Sequence, residues 1–196
     1  MQGSCLCGAV VFQVTPPLRN VVACHCTQCR KVSGHFWAAS SVPMGGFTVI
    51  EDRGLAWFRS SASALRGFCR DCGATLFWKP EGEDRMGFSP GALDGPTGLV
   101  VDRRIFAEDA GDYYAPEGPP PAPKDAPPRL AASCLCGDVR FTLPRPAGGV
   151  TACHCTQCRK LSGHYSASFD TDETLVEFPA RETLAEYVSP AGRQRG

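Results

Sequence analysis

The sequence predicts a mainly β fold, built as a small cysteine-rich module that is duplicated, with the second copy incomplete. Three observations support this prediction. Short stretches rich in β-branched and aromatic residues alternate with breaks that contain glycine and proline. Twelve cysteines stand at short, regular spacings. The nonapeptide ACHCTQCRK occurs twice, at 23–31 and at 152–160.

The elements of the first copy follow from local patterns. Breaks such as PMGG, KPEGE and SPGALDGP separate many of the β-like stretches, as in antiparallel sheets. One short helix is predicted at TQCRKVSG, residues 27–34, which begins at a threonine that can cap and ends at a glycine. The predicted strands are AVVFQV at 9–14, FWAASSV at 36–42, FTVI at 47–50, LAWFR at 55–59, ATLFW at 74–78, RMGFS at 85–89 and RRIFA at 103–107.

The two copies are related by a constant offset of 129 residues. Serine, glycine and histidine positions recur at this offset together with the cysteines, and coincidental zinc knuckles would not share such positions. The recurring cysteines are Cys5, Cys7, Cys24, Cys26 and Cys29, which return as Cys134, Cys136, Cys153, Cys155 and Cys158.

A proline-rich segment separates the copies. The stretch APEGPPPAPKDAPPR at 115–129 contains seven prolines and offers few apolar side chains to bury. Such a composition favours extended polyproline geometry and predicts a semi-rigid linker. The expected organisation is therefore a first module at 1–115, a linker at 116–130 and a partial second module at 131–196.

The second module is expected to be incomplete. Counterparts of Cys69 and Cys72 would fall at positions 198 and 201, whereas the sequence ends at Gly196. Two interpretations stay open. The chain is a fragment of a longer one, which we favour, or the second copy is a degenerate half-module.

The composition of the chain excludes some classes of function. Lysine and arginine number 20, as do aspartate and glutamate, and the two signs also balance within each predicted region. The basic footprint that phosphate binding requires is therefore missing, and no nucleic-acid partner is expected. The start MQGSCLCGAVVFQV lacks the features of a signal peptide, and no apolar run is long enough to span a membrane. We expect a cytoplasmic protein with no membrane partner.

In a reducing cytosol, cysteines at such spacings indicate metal ligands before they indicate disulfides. A disulfide network is the weaker alternative, because C-x-C pairs have poor bridging geometry.

Zinc takes four ligands, so the seven cysteines of the first module divide into a closed set of four and an open set of three. The open set, Cys24, Cys26 and Cys29, is close enough in sequence to hold one ion. The closed set is then Cys5, Cys7, Cys69 and Cys72. Metal sites of this kind stabilise a small module whose hydrophobic core is modest.

Other residues near the open set are weaker candidates. His25 stands between two cysteines and is expected to point away from the metal as a turn residue. His35 is a candidate fourth ligand or base, although neither role is favoured. Arg30 and Lys31 offer a positive charge to an anionic substrate or form a solvated helix face. Aromatic residues on the predicted strands are expected in the core, since no basic stripe accompanies them: Phe12, Phe36, Trp37, Trp57, Phe58, Phe77 and Trp78.

These motifs resemble the glutathione-dependent formaldehyde-activating enzyme family, which includes the centromere protein V group. The resemblance rests on GSCLCGAVVF, CHCTQCRKVSG and FCRDCGATLFW, followed by GALD at 91–94 and RRIFAEDAGDYY at 103–114. It covers the first module in order and the first half of a second copy.

The resemblance implies a zinc-stabilised β-tent fold with two zinc ions in the first module. The cysteines at 5, 7, 69 and 72 would hold a structural zinc, and those at 24, 26 and 29 the catalytic one. The second module would hold one or two zinc ions if it is complete, using Cys134, Cys136, Cys153, Cys155 and Cys158. The duplication and the absence of a second C-x-x-C depart from the family pattern.

The implied reaction joins glutathione and formaldehyde into S-hydroxymethylglutathione, so the chain is predicted to be a carbon-sulfur lyase with a small thiol and an aldehyde as partners. Because a family shares its sites more reliably than its substrate, two alternatives stay open. One is a non-catalytic zinc module that binds a partner. The other is a thiol or metal sensor.

Overall fold

The computed structural model describes residues 1–119, 121–122, 124–189, 192 and 194–195, and these residues form a mainly β structure, as predicted. Two seven-residue helices are present, α1 at Thr27–Ser33 and α2 at Thr156–Ser162. The strands up to residue 115 are β1 Gln2–Ser4, β2 Val11–Val14, β3 Val21–Cys24, β4 Trp37–Pro43, β5 Phe47–Glu51, β6 Leu55–Ser61, β7 Ala64–Cys69, β8 Thr75–Pro80, β9 Arg85–Phe88 and β10 Val101–Ile105.

Residues 1–115, here the N-terminal part, contain two sheets. The larger sheet has seven strands in the order β10-β3-β4-β9-β8-β7-β6, and the smaller has three in the order β1-β2-β5. Neighbouring strands are antiparallel except β10 and β3, which run parallel. The parallel pair places the end of β10 beside the end of β3, where Cys24 lies.

The main core lies between these two sheets. Phe12 of β2 meets Phe77 of β8 edge to face, with ring centroids 5.0 Å apart, and both side chains are fully buried. Burying a large apolar side chain contributes about 1.5–3 kcal/mol, so this contact fixes the small sheet on the large one. The prediction that strand aromatics lie in the core holds for these rings and is wrong for Trp57, which is 39% exposed.

Residues 129–195, here the C-terminal part, contain shorter elements. A three-stranded sheet has the order β11-β12-β15, and two hairpins are formed by β13 with β14 and by β16 with β17. The helix α2 begins 129 residues after α1. The strands are β11 Arg129–Ser133, β12 Arg140–Pro144, β13 Thr151–Cys153, β14 Ser166–Ser168, β15 Glu177–Ala180, β16 Tyr187–Val188 and β17 Gln194–Arg195.

The predicted helix occurs and begins at Thr27 as expected, but its N-cap differs. Cys26 is the residue before the first turn and Thr27 is already helical, without a side-chain capping bond. Gly34 ends the helix in the left-handed region with φ 76°, and its N–H donates to the carbonyl of Arg30. The threonine therefore does not cap, whereas the glycine stop is correct because this conformation strains residues with a Cβ.

The proline-rich segment carries no helix or strand in its described residues before 129. Strand β11 begins at Arg129, inside the linker predicted at 116–130. Pro120 and Pro123 of that linker lie outside the described residues, as do positions 190, 191, 193 and 196 of the predicted second module. No helix in the described part of the chain is long and apolar enough to cross a membrane.

Candidate metal centres and the adjoining cleft

Four cysteines from distant parts of the sequence meet at one end of the core. The sulfurs of Cys5, Cys7, Cys69 and Cys72 all lie within 4.8 Å of one another. Cys7 Sγ is 3.6 Å from Cys5 Sγ and 3.7 Å from Cys69 Sγ. The group joins the loop after β1 to the turn after β7, so it clips the small sheet to the large one.

Tight turns position these sulfurs. Gly8 and Gly73 follow the second cysteine of each pair and have φ of 77° and 75°. The Gly73 N–H donates to the carbonyl of Cys69 at 2.8 Å, which closes the C-x-x-C turn. The Val10 N–H donates to Cys5 Sγ at 3.3 Å and favours its thiolate.

A second group lies at the start of α1. Cys24 ends β3, Cys26 precedes the first helical turn and Cys29 is buried within it, and their sulfurs lie within 4.8 Å of one another. Cys24 Sγ and Cys26 Sγ are 3.6 Å apart. Three ligand atoms thus converge from the six residues 24–29, which connect a strand to a helix.

Hydrogen bonds within each group separate the thiol pKa values. Bonding to Cys29 lowers the pKa of Cys24, and it lowers that of Cys26 to about 5. The same bonds, followed by burial, raise the pKa of Cys29. In the four-cysteine group a hydrogen bond with Cys72 lowers the pKa of Cys5 to about 5. Metal ligands must be deprotonated, and each group holds sulfurs that favour the thiolate.

The sulfur positions fit a tetrahedral metal. Sulfurs about 2.3 Å from a zinc ion at tetrahedral angles lie about 3.8 Å apart. The sulfurs of Cys5 and Cys7, of Cys7 and Cys69, and of Cys24 and Cys26 are 3.6–3.7 Å apart. The donor sets therefore fit a tetrahedral metal ion such as zinc in chemistry and spacing, with four thiols in one group and three thiols plus one open position in the other.

The C-terminal part contains one comparable group. Cys153, Cys155 and Cys158 lie within 4.8 Å of one another, at the start of α2. Cys134 and Cys136 form a pair with sulfurs 3.3 Å apart and do not belong to a larger group of ligands in the described residues. All twelve cysteines are free thiols.

A cleft of about 400 Å³ opens beside the first three-cysteine group. Cys24, Cys26 and Cys29 line it together with the rings of Trp37 and Trp78. Three arginines from separate segments also face it, namely Arg19, Arg66 and Arg85. The described lining residues include no aspartate, glutamate or histidine. A cleft of this composition suits an anionic ligand next to the sulfurs.

Arg66 connects the cleft to the cysteines. It is 7% exposed, its Nη2 donates to Cys29 Sγ at 3.4 Å, and its guanidinium carbon lies 5.4 Å from the Trp37 ring centroid. Its Nε and Nη1 are buried without a hydrogen-bond partner among the described residues. Sequence reasoning missed Arg66, Arg19 and Arg85, because no motif links them.

The histidines and the helix cations lie elsewhere. His25 points away from the sulfurs, as predicted, and its Nδ1 is 2.8 Å from the Tyr114 hydroxyl. His35 is buried against Tyr165 rather than beside the cysteines, so the structure does not support a ligand or base role. Neither Arg30 nor Lys31 lines the cleft.

These features define a class, the small β-rich domains whose cysteines are gathered at metal-ligand distances. The sequence model described as glutathione-dependent formaldehyde-activating enzyme matches residues 1–109 and 129–195. These ranges make up most of the chain, which therefore belongs to that family.

One curated protein and one solved structure are similar to part of the chain. An uncharacterized lyase of Schizosaccharomyces pombe is 27% identical over 120 residues, which cover 58% of this chain and 82% of the relative. A crystal structure of a Rhodobacter sphaeroides protein is 23% identical, covers 54% of this chain and 100% of its own, and has a TM-score of 0.46.

Proposed function

We propose that this chain adds the thiol of glutathione to formaldehyde, forming S-hydroxymethylglutathione, at Cys24, Cys26 and Cys29. The observation that carries the proposal is the open three-thiol group on the floor of an arginine-lined cleft. Family membership and a relative named as a lyase support a lyase-type enzyme. The specific substrates are the proposal.

The cleft favours a thiol that carries negative charge. Glutathione has two carboxylates, and Arg19 and Arg85 offer guanidinium N–H groups that can bind them. Arg19 Nη2 also donates to the carbonyl of Ala39, and Arg85 Nε is paired with Glu83 Oε2 at 2.6 Å, so the remaining N–H groups are available to the ligand. Trp78 stacks with Arg85, whose guanidinium carbon lies 5.1 Å from the ring centroid, and this contact restrains the arginine. Restrained charges bind an anionic ligand with a smaller loss of conformational entropy.

In the reaction the thiol sulfur forms a bond to the formaldehyde carbon, the carbonyl π electrons move to oxygen, and the thiol proton ends on that oxygen. Cys24, Cys26 and Cys29 would hold a zinc ion here, and such an ion would supply Lewis acidity for the addition. Arg66 fixes Cys29 and places a positive charge where the nucleophile is anionic. The arginine side chains thereby orient the thiol and favour its deprotonated form.

The other cysteines have supporting roles in this proposal. Cys5, Cys7, Cys69 and Cys72 hold a structural zinc, because a closed four-thiolate set leaves no position for a substrate. Cys153, Cys155 and Cys158 hold one further ion in the C-terminal part. We also propose that the two matched ranges are copies of one module and that the protein works in the cytoplasm, where free thiols persist.

The test compares adduct formation with and without the proposed site. Exchange between formaldehyde and glutathione is followed by NMR with the zinc-loaded protein. We expect acceleration above the spontaneous rate, and we expect Cys26→Ser to abolish it. Cys155→Ser is the matched control and should retain most of the acceleration. A zinc-loaded protein without any acceleration would contradict the proposal and favour a binding module instead.

A further inference from the structure

Some of the contacts between the N-terminal and C-terminal parts form reciprocal pairs. Lys31 Nζ donates to Ser133 Oγ at 2.5 Å and to its carbonyl at 3.1 Å. Lys160 Nζ donates to Ser4 Oγ at 2.6 Å and to its carbonyl at 3.4 Å. Lys160 and Ser133 are the counterparts of Lys31 and Ser4 at the offset of 129. Reciprocal contacts of this kind characterise a twofold interface between two copies of one surface.

A second reciprocal pair lies beside the helices. His35 is hydrogen-bonded through Nε2 to the hydroxyl of Tyr165. Phe36 packs on His164 with ring centroids 4.8 Å apart. Positions 164 and 165 are the counterparts of 35 and 36. The same two positions of each part therefore contact their counterparts in the other part.

Backbone contacts close the interface. The Gly91 N–H donates to the carbonyl of Gly163 at 3.0 Å, and Arg159 Nη1 donates to the carbonyl of Gly91 at 2.9 Å. A Cβ at Gly91 would lie 2.5 Å from the Gly163 oxygen and 2.6 Å from the Arg159 oxygen. The two backbones approach too closely here for any side chain at position 91.

A chain of contacts leads from this interface to the first three-cysteine group. The His35 ring, held by Tyr165, lies 4.0 Å from the Tyr114 ring. The Tyr114 hydroxyl is 2.8 Å from His25 Nδ1. His25 is 1% exposed and stands between Cys24 and Cys26. The C-terminal part therefore restrains His25, the residue between two candidate metal ligands, through this chain of contacts.

We propose that the C-terminal part is an internal twofold partner of the N-terminal part, and that Tyr165 is a positioning residue for the Cys24–Cys29 loop. The inference rests on the proposed function only in that this loop binds a metal. Tyr165 does not line the cleft and is hydrogen-bonded to His35, so its effect on the loop passes through His35, Tyr114 and His25.

The physical reason is preorganisation. The loop must hold three sulfurs close together before a metal is bound, and ordering flexible ligands costs conformational entropy on binding. Tyr165 restrains His35 and hence the ring stack that bonds His25. Loss of a partner bonded directly to a metal ligand typically lowers metal affinity by about 10–100-fold, so a more distant partner such as Tyr165 should act near the lower end of that range.

The test is a cobalt(II) titration of reduced, metal-free full chain in a Cys155→Ser background, which removes the second three-cysteine group. The spectrum of the additional Cys26→Ser variant gives the contribution of the four-cysteine group, which is subtracted. We expect Tyr165→Phe to lower the cobalt affinity of the first three-cysteine group about tenfold. Tyr187→Phe is the matched control, because Tyr187 packs beside the four-cysteine group and should leave this affinity unchanged.

A second variant alters the same interface at a residue of the N-terminal part. Gly91→Val pushes the backbone of α2 away and should lower the affinity of the first three-cysteine group similarly, while the four-cysteine group keeps its affinity. Equal losses at both groups would indicate general destabilisation and overturn the inference. Unchanged affinity in Tyr165→Phe would overturn the role of Tyr165. Absence of cobalt at Cys24, Cys26 and Cys29 in the background protein would instead contradict the proposed function.

Discussion

At the scale of single residues, the charge next to the cysteines comes from Arg66. It is buried, bonded to Cys29 Sγ at 3.4 Å and placed over Trp37. A buried cation without a carboxylate partner is costly to hold unless an anion is nearby. Thiolates and an anionic substrate both provide that anion, so the position of Arg66 is consistent with chemistry at this cleft.

Replacing Arg66 by glutamine should lower kcat/KM for glutathione and formaldehyde at least tenfold, because the thiolate loses a charge-assisted hydrogen bond. Steady-state assays measure the loss. Arg59→Gln is the control, since Arg59 forms an exposed ion pair with Glu81 and should leave kcat/KM unchanged. Equal rates for both variants would show that Arg66 serves only the fold.

His35 should make the stability of the fold depend on pH. Burial, followed by the charges of His164 and His25, lowers the pKa of His35 to about 4, against about 6.5 in an unfolded chain. Between these values the unfolded chain binds a proton that the folded chain does not, so stability falls as pH decreases from 6.5 toward 4. At pH 5 the loss from this residue is about 2 kcal/mol.

Urea unfolding of the metal-free, reduced protein at pH 7.5 and pH 5 measures this effect. The native protein should lose about 2 kcal/mol more than His35→Phe between the two pH values, because the phenylalanine cannot take up a proton. Identical losses would show that His35 does not titrate in this range.

The candidate metal ligands could be predicted at this scale, whereas the cleft could not. The cysteines are grouped by short spacings that local geometry makes sufficient for a shared ion. Arg66 and Arg85 are far apart in sequence and line one cleft because β7 and β9 lie in one sheet with β8 between them. Arg19 reaches the cleft from the loop before β3, where its Nη2 donates to the carbonyl of Ala39 in β4. An arginine within the otherwise apolar ALRGFC was the one available signal.

At the scale of elements, β7 joins the two cysteine groups. Arg66 and Cys69 are three positions apart, so successive alternation places them on opposite faces of the strand. One face presents Arg66 to the cleft, and the other presents Cys69 to the four-cysteine group. Distortion of β7 should therefore disturb both groups together.

Gly67 lies between these two residues, and its lack of a side chain is required. A Cβ there would lie 2.9 Å from Phe77 Cδ2 and 3.0 Å from Trp57 Cζ3, and Phe77 is fully buried. Gly67→Ala should lower the free energy of unfolding by about 1–3 kcal/mol through overpacking.

Denaturant unfolding measures this change. Gly45→Ala is the control, since a Cβ at Gly45 meets nothing within 4 Å, and it should change stability by less than about 0.5 kcal/mol. A Gly67→Ala protein as stable as the control would mean that Phe77 can repack.

Strands were predicted correctly where polar and apolar residues alternate clearly, and they were missed where contacts with other strands determine the structure. The stretches FTVI and LAWFR correspond to β5 and β6. The short strands β1 and β3 and the glycine-containing β7 were missed. Gly67 of β7 leaves a space that Phe77 of the neighbouring strand β8 fills. A packing partner on another strand cannot be recognised from a local sequence pattern.

At the scale of the whole molecule, the repeat has a spatial counterpart in the reciprocal lysine-serine contacts between the two parts. The offset of 129 predicts that similar elements recur, and α2 does follow α1 at that spacing. How the parts pack could not be predicted, because the interface depends on close backbone approach at Gly91 and on a ring stack assembled from distant residues. His35 and His164 each contact an aromatic residue of the opposite part, Tyr165 and Phe36 respectively.

The most direct test of this account is the zinc content of the reduced, purified chain and of two cysteine variants. Three groups of ligand cysteines predict three zinc ions per chain. Cys26→Ser should bind two, having lost the ion at the cleft, and Cys155→Ser should also bind two. A Cys26→Ser protein that retains the full zinc content of the native chain would contradict the assignment of Cys24, Cys26 and Cys29 as a separate metal site.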